Sequence, residues 1–261
     1  MSERYITTSD ELTSVADAIR SKGGTSDKLA YPDGFVTAIG AISGGSTPYD
    51  EWLYKAKSIM FSSDYPDANP VVTLPPNVIS LGEVFAPNNS NYETITVNFE
   101  GKVTSCSYAF CNTLNTKLKE VTLNGDLTSC GNYANMLMRN SALQAVRGTP
   151  LDFTACRTKT FAYLSNTILN NLTYIRYKPL CLNWDHRLAS SVYDDESMVS
   201  IVNAFIAGPY TLMAAQAIID RLPTIMGTVG DDGAFVLDSS GDTSMETYIT
   251  SNKGWSVAVA T

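Results

Sequence analysis

A chain of 261 residues, 44% hydrophobic and 17% charged, is long enough to bury a sizeable core in one or two domains. Its 18 Lys and Arg against 26 Asp and Glu give a formal charge of −8, which argues against a phosphate-backbone partner, so no nucleic acid is expected. Met1-Ser2-Glu3-Arg4-Tyr5 does not open a basic-then-apolar leader, and no apolar run approaches bilayer length; the sequence predicts no membrane insertion.

Residues 8–42 read as a hairpin of two short helices. Thr8 and Glu11 have capping-box spacing, Leu12, Val15, Ala16 and Ile19 recur at helical period, and Gly23-Gly24 ends the run. After Pro32-Asp33-Gly34, the residues Phe35, Ala38, Ile39 and Ile42 repeat the spacing. Such a hairpin has too little core to stand alone, so Leu12, Val15, Ile19, Phe35 and Ile39 are candidate docking residues. Residues 43–49, with Ser43-Gly44-Gly45-Ser46, form a flexible linker. Trp52, Ala56, Ile59 and Met60 then suggest a helix within 50–70, broken at Tyr65-Pro66.

Between Val72 and Tyr177 the chain repeats itself. Thr104-Ser105-Cys106 returns 24 residues later as Thr128-Ser129-Cys130, Cys156 follows after 26 more, and Leu81 stands 25 before Cys106. One slot is thus expected to read Leu, Cys, Cys, Cys. Periods of 20–30 residues mark solenoids, whose units bury their apolar faces against one another. Each unit starts with a short strand: Val72-Thr-Leu74, Ile95-Thr-Val97, Val121-Thr-Leu123, Val146-Arg147 and Ile175-Arg-Tyr177. The alternation points the middle residues outward, giving a candidate ligand-binding column of Thr73, Thr96, Thr122, Arg147 and Arg176 with spacings from 23 to 29. Val103, Cys106 and Phe110 are expected inside, with Phe85 and Phe161 near the matching place in flanking units. Five cysteines without a C-x-x-C pair suit buried free thiols rather than zinc or a redox pair.

From about residue 183 the period stops. Asp194-Asp195 should cap a helix carrying Met198, Ile201, Val202 and Phe205 and ending at Gly208-Pro209. A second helix is expected over Ala214 to Leu222. A third opens on the Thr243–Glu246 capping box and stops at Lys253-Gly254, before a strand Trp255–Val259. Residues 183–261 are read as the cap that closes the solenoid, and 50–182 as its body.

The units Leu81-Gly-Glu-Val-Phe85, Cys106-Ser-Tyr-Ala-Phe-Cys-Asn-Thr-Leu114 and Leu118-Lys-Glu-Val-Thr-Leu123 resemble the short leucine-rich repeats of bacterial surface antigens, the BspA type, with pattern I-G-x-x-A-F-x-x-C-x-x-L-x-x-I-x-L. The start, Leu12 to Arg20, Lys22-Gly-Gly-Thr25 and Tyr31-Pro-Asp-Gly-Phe-Val36, is similar to a segment at the start of tail-associated proteins of phages and prophages of Gram-positive gut bacteria. The end, Asp195 to Asn203 with Ser251-Asn-Lys-Gly-Trp255, resembles the closing element of leucine-rich-repeat proteins found with that start. The resemblance implies an α/β fold: a leucine-rich-repeat solenoid whose strands form one sheet, with an N-terminal helical hairpin and an α+β C-terminal cap. It implies a virion component at the tail tip or baseplate, assembled in the bacterial cytoplasm. Expected partners are other phage structural proteins, further copies of the chain, and a polymer or protein of the host surface.

Candidate chemistry is sparse. His186, the sole histidine, lies beside Asp185 and near Ser190-Ser191, but no G-x-S-x-G elbow accompanies them. Cys111 or Cys181 with His186 as a thiol nucleophile has no more support. The acidic stretch Gly230-Asp-Asp-Gly233 and Asp238 to Asp242 departs from an EF-hand register and is explained by turn chemistry. No enzymatic activity, cofactor or metal is expected. The reading is an adhesion and assembly protein, with a bacterial surface adhesin and a tail-borne cell-wall glycan hydrolase as rivals. Arg147 and Arg176 are expected to form a local positive patch that attracts anionic envelope polymers.

Overall fold

The computed structural model describes residues 9–23, 69–76, 78–82, 85, 92–111, 117–158, 160, 164, 169–188, 190, 192–239 and 241–260. The chain divides into two units, Met1–Glu51 and Trp52–Thr261.

In the first unit, helix α1 spans Ser9–Gly23 and ends where the glycine pair predicted a stop. Leu12 is half-buried, Val15 is 48% exposed and Ala16 is buried; the side chain of Ile19, like Phe35 and Ile39, lies outside the described residues. The second helix of the hairpin, the 43–49 linker and the helix expected from Trp52 to Met60 also fall outside them.

The second unit is mixed α/β, built on a parallel β-solenoid of about five turns with few helices. Strands β1 (Val71–Leu74), β2 (Thr94–Phe99), β3 (Glu120–Asn124) and β4 (Ala145–Gly148) lie side by side in that order, all parallel. They are rich in β-branched residues, and β2 and β3 alternate strictly: Ile95, Val97, Val121 and Leu123 are buried, while Thr96 and Thr122 are part-exposed on the opposite face; in β4 Val146 is buried and Arg147 exposed. β4 ends at Gly148, whose φ of +86° and whose would-be Cβ, 2.1 Å from the Leu123 carbonyl oxygen, leave no room for a side chain. The fifth rung, Tyr174–Tyr177, is tied in by bridges Ala145↔Tyr174 and Leu151↔Tyr177 rather than by a full strand.

A second parallel run, Ser80↔Ser105↔Asn132, forms another side of the coil. Its register corrects the expected slot. Leu81 and Cys106 are neighbours, but the residue beside Cys106 in the next rung is Tyr133, because Asn132 rather than Ser129 pairs with Ser105. The Thr-Ser-Cys tripeptide therefore recurs in sequence without recurring in register. Val103, Cys106 and Phe110 are buried as their spacing predicts, and Phe85 stacks on Phe110 at 5.2 Å; Phe161 lies outside the described residues. Cys106, Cys130, Cys156 and Cys181 are all buried, and all five cysteines are free. The Cys130 thiol donates to the Asn132 carbonyl at 3.7 Å, and that of Cys156 to Cys130 at 3.8 Å.

The C-terminal part opens with β5 (His186–Arg187) and helix α2 (Asp195–Ala204), whose N-cap Asp194 accepts from the Ser197 N–H at 2.6 Å. Met198, Ile201 and Val202 are buried as predicted, but the helix stops at Ala204 and Phe205 is already extended. The helix expected over Ala214–Leu222 is largely replaced. β6 (Thr211–Ala214) is followed by a single turn, Gln216–Ile219, and a 3₁₀ turn, Leu222–Thr224, since Pro223 and the apolar alternation of Leu212 and Ala214 favour extended chain before the turn. β7 (Met226–Val229), β8 (Phe235–Leu237) and β9 (Thr243–Ser244) form an antiparallel sheet. The helix that follows is capped by Ser244, which accepts from the Thr247 N–H, one residue past the expected Thr243. β10 (Ser256–Val259) pairs parallel to β6, and β6 to β5.

Aromatic contacts tie this part to the solenoid. Tyr133, Phe153, Tyr177, His186, Phe205 and Trp255 follow one another at centroid distances of 4.9, 5.3, 5.9, 6.2 and 3.8 Å. The pairs among Phe, Tyr and Trp each add about 0.5–1.5 kcal/mol beyond area burial. No described helix is long and apolar enough to cross a membrane.

Candidate binding face

The outward face of the four-stranded sheet carries most of the residues singled out from sequence. Thr96, Thr122 and Arg147 sit directly opposite one another across β2, β3 and β4. Thr73 does not join them. It pairs with Asn98, and the β1 residue opposite Thr96 is Val71. Arg176 continues the column beyond Arg147, as the Ala145↔Tyr174 bridge two residues earlier sets the register. A second column, Thr73, Asn98 and Asn124, runs alongside, and the Asn124 amide donates to the Asn98 Oδ1 at 3.0 Å.

The charges on this face are matched in pairs across rungs. Arg147 Nε donates to Glu120 at 2.8 Å, and Lys119 to Glu93 at 2.8 Å. Arg176 pairs with Glu196 and lies 4.0 Å from Asp194. Both guanidiniums pack on one ring, their Cζ atoms 4.4 and 4.3 Å from the Tyr174 centroid. A continuous chain Glu120, Arg147, Tyr174, Arg176, Glu196 results, in which each guanidinium has a carboxylate partner. The two arginines are stacked in adjacent rungs, as expected, but do not form a free positive patch. On the next side of the coil, Lys102 reaches Asp126 at 3.7 Å and Lys178 reaches Asp152 at 2.7 Å.

Asn98 and Asn124 escaped the sequence reading. The signal was present: Ile95-Thr-Val-Asn98 and Val121-Thr-Leu-Asn124 share a Thr-x-Asn pair flanked by aliphatic residues, which places both polar side chains on one face of each strand.

The nucleophile candidates are engaged in packing and turns. Asp185 accepts from the Thr211 N–H at 2.8 Å and Ser190 from the Val192 N–H at 3.1 Å, while His186 lies edge-on between Tyr177 and Phe205. Burial pushes its imidazole down to about 4. Burial likewise lifts the thiols of Cys156 and Cys181, to about 12 and about 11, opposite to what a nucleophile requires. In the acidic stretch, Asp232 accepts from the Ala234 N–H within the turn, and Asp238 accepts from the Thr228 hydroxyl of the neighbouring strand β7. Among the described residues no group of three His, Cys, Asp or Glu is arranged to hold a metal ion.

Comparison with protein-family models, with curated proteins and with solved structures finds no match to this chain.

Proposed function

We propose that this chain is a structural and adhesion component of a phage particle, at the tail tip or baseplate, that presents the outward face of its parallel sheet to the host cell. The fold is read as a solenoid of the short leucine-rich-repeat kind, with residues 183–261 closing its open end and the N-terminal unit docking on other particle proteins.

The observation that carries the reading is the in-register polar surface: Thr96, Thr122 and Arg147 in one column, Thr73, Asn98 and Asn124 in the next. A parallel sheet with one face buried and the other lined by aligned polar side chains is a rigid platform, and rigid presentation lowers the ordering cost of binding an extended partner. The setting in a virion rests on the N- and C-terminal resemblances. Immunogold electron microscopy of purified particles tests it: label at the tail tip is the expected result, and label confined to the bacterial envelope would favour a cell-surface adhesin instead.

A further inference from the structure

We infer that the ligand of this face is an uncharged, hydroxyl-rich polymer, an extended polysaccharide, rather than an anionic one. The inference rests on the sheet face being the recognition surface and adds what that surface can recognise. Two observations carry it.

The first is charge. Three cations and four carboxylates, namely Lys119, Arg147 and Arg176 with Glu93, Glu120, Asp194 and Glu196, are paired with each other on or beside the face. A polyphosphate would have to displace these carboxylates before gaining a contact. A neutral polymer meets no such cost.

The second is unsatisfied hydrogen-bonding capacity in a regular mesh. The hydroxyls of Thr73, Thr96 and Thr122 make no hydrogen bond to any described residue, and the Asn98 Nδ2 and Asn124 Oδ1 keep no described partner once the single bond between the two amides is made. The strands fix these groups at about 4.8 Å across and about 6.7 Å along the sheet, mixing donors and acceptors as the hydroxyls of a sugar chain do. A protein partner would be expected to seek an exposed aromatic or arginine anchor. Here the Tyr174 ring is packed by both guanidiniums, and each guanidinium is ion-paired.

The test uses the full chain on a printed array of neutral and anionic bacterial polysaccharides with poly(glycerol phosphate) alongside, read at low salt and at about 0.5 M sodium chloride, where exposed charges are screened. Asn98→Ala/Thr122→Ala removes polar groups from the mesh, and Thr96→Trp blocks it sterically; both leave the buried side of the sheet untouched, and thermal melts identify any variant that fails to fold. Binding to neutral polysaccharide that survives salt and falls more than about tenfold in either folded variant supports the inference. Binding only to the anionic polymers, lost in salt, overturns the ligand class while leaving the sheet-face reading standing if the folded variants lose it. Absence of binding to every neutral polymer also overturns the class. Binding unchanged in both variants overturns the sheet-face reading itself.

Discussion

His186 shows how a single side chain couples packing to pH. Its imidazole is wedged between Tyr177 and Phe205, and burial depresses its pKa from 6.5 to about 4. Above pH 6.5 it is neutral in folded and unfolded chain alike and contributes no pH dependence. Below 6.5 the unfolded chain takes up a proton that the folded one refuses, so stability falls until about pH 4, where both are protonated and the loss is complete. The gap sets an upper limit of roughly 3 kcal/mol, reduced because part of the ring remains accessible. The carboxyls act in a different window. Burial alone would raise Asp152, yet Lys178 and the Thr154 bonds hold it below 3.8, and the Thr128 hydroxyl and N–H do the same for Asp126; their contributions fade only as pH drops below that value. His186→Phe is therefore expected to flatten the urea midpoint between pH 6.5 and 4 while leaving the steeper loss at lower pH. An unchanged slope in that window would mean the imidazole is not held neutral.

At the scale of the elements, rungs are held by their inner aliphatic columns and by side-chain pairs that bridge consecutive turns. These pairs differ in value according to burial. Asp152 has only 4% of its side chain exposed and binds Lys178, whereas Glu93 and Lys119 are both about half exposed. Removing the lysine partner of a buried carboxylate leaves an unpaired charge, which costs about 3 kcal/mol, and an exposed pair contributes about 0–1 kcal/mol. Lys178→Met should therefore destabilise the body by about 2–3 kcal/mol, the lower figure allowing for the exposed ammonium, and Lys119→Met by under about 0.5 kcal/mol. Chemical denaturation of the two variants decides it, and equal effects would refute the distinction. The strands themselves were legible because β-branched residues alternate with polar ones over β1 to β4, and the buried face was legible with them. Register was not, because it depends on the length and path of the segments between strands. Taking Thr73 as the column member gave a first spacing of 23; the pairing Val71↔Thr96 makes it 25, against 26 and 25 for the next two rungs. The same cause misplaced the thiol slot, where pairing of Ser105 with Asn132 overrode a repeated tripeptide. Past residue 183 the strands are two to four residues long, and β5 to β9 are too short for periodicity to reveal; α2 with its Asp194 cap, the helical segment ending before Gly254 and the final strand β10 were legible in advance.

For the Trp52–Thr261 unit as a whole, the question is whether solenoid and C-terminal part unfold together. Among the described residues the fifth rung pairs with no further strand, and side chains of α2 meet two of its backbone donors. The Ser197 hydroxyl accepts from the Ile175 N–H at 3.0 Å, the Ser200 hydroxyl from the Tyr177 N–H at 2.8 Å, and the Ala204 carbonyl from the N–H groups of Cys181 and Leu182 at 2.9 and 2.7 Å. Backbone donors at the end of a parallel stack are thus satisfied by helix side chains and by the chain just beyond them. Ser197 is fully buried, so water cannot readily replace it. In a stack where each rung is stabilised by its neighbours, loss at one end is transmitted to the others. Ser197→Ala with Ser200→Ala orphans two N–H groups and should cost about 2–4 kcal/mol, at about 1–3 kcal/mol for each buried group left unsatisfied. Two probes lie at opposite ends: Trp255, in the aromatic stack of the C-terminal part, by fluorescence in a Trp52→Phe/Trp184→Phe background, and Cys106, buried two rungs above Cys156, by thiol labelling. In the parent both should report one transition, and in the double variant both should move to lower denaturant by the same amount. A shift of the Trp255 signal alone, with Cys106 protected to the original midpoint, would show that the solenoid holds its last rung without α2 and that the two parts are separate cooperative units.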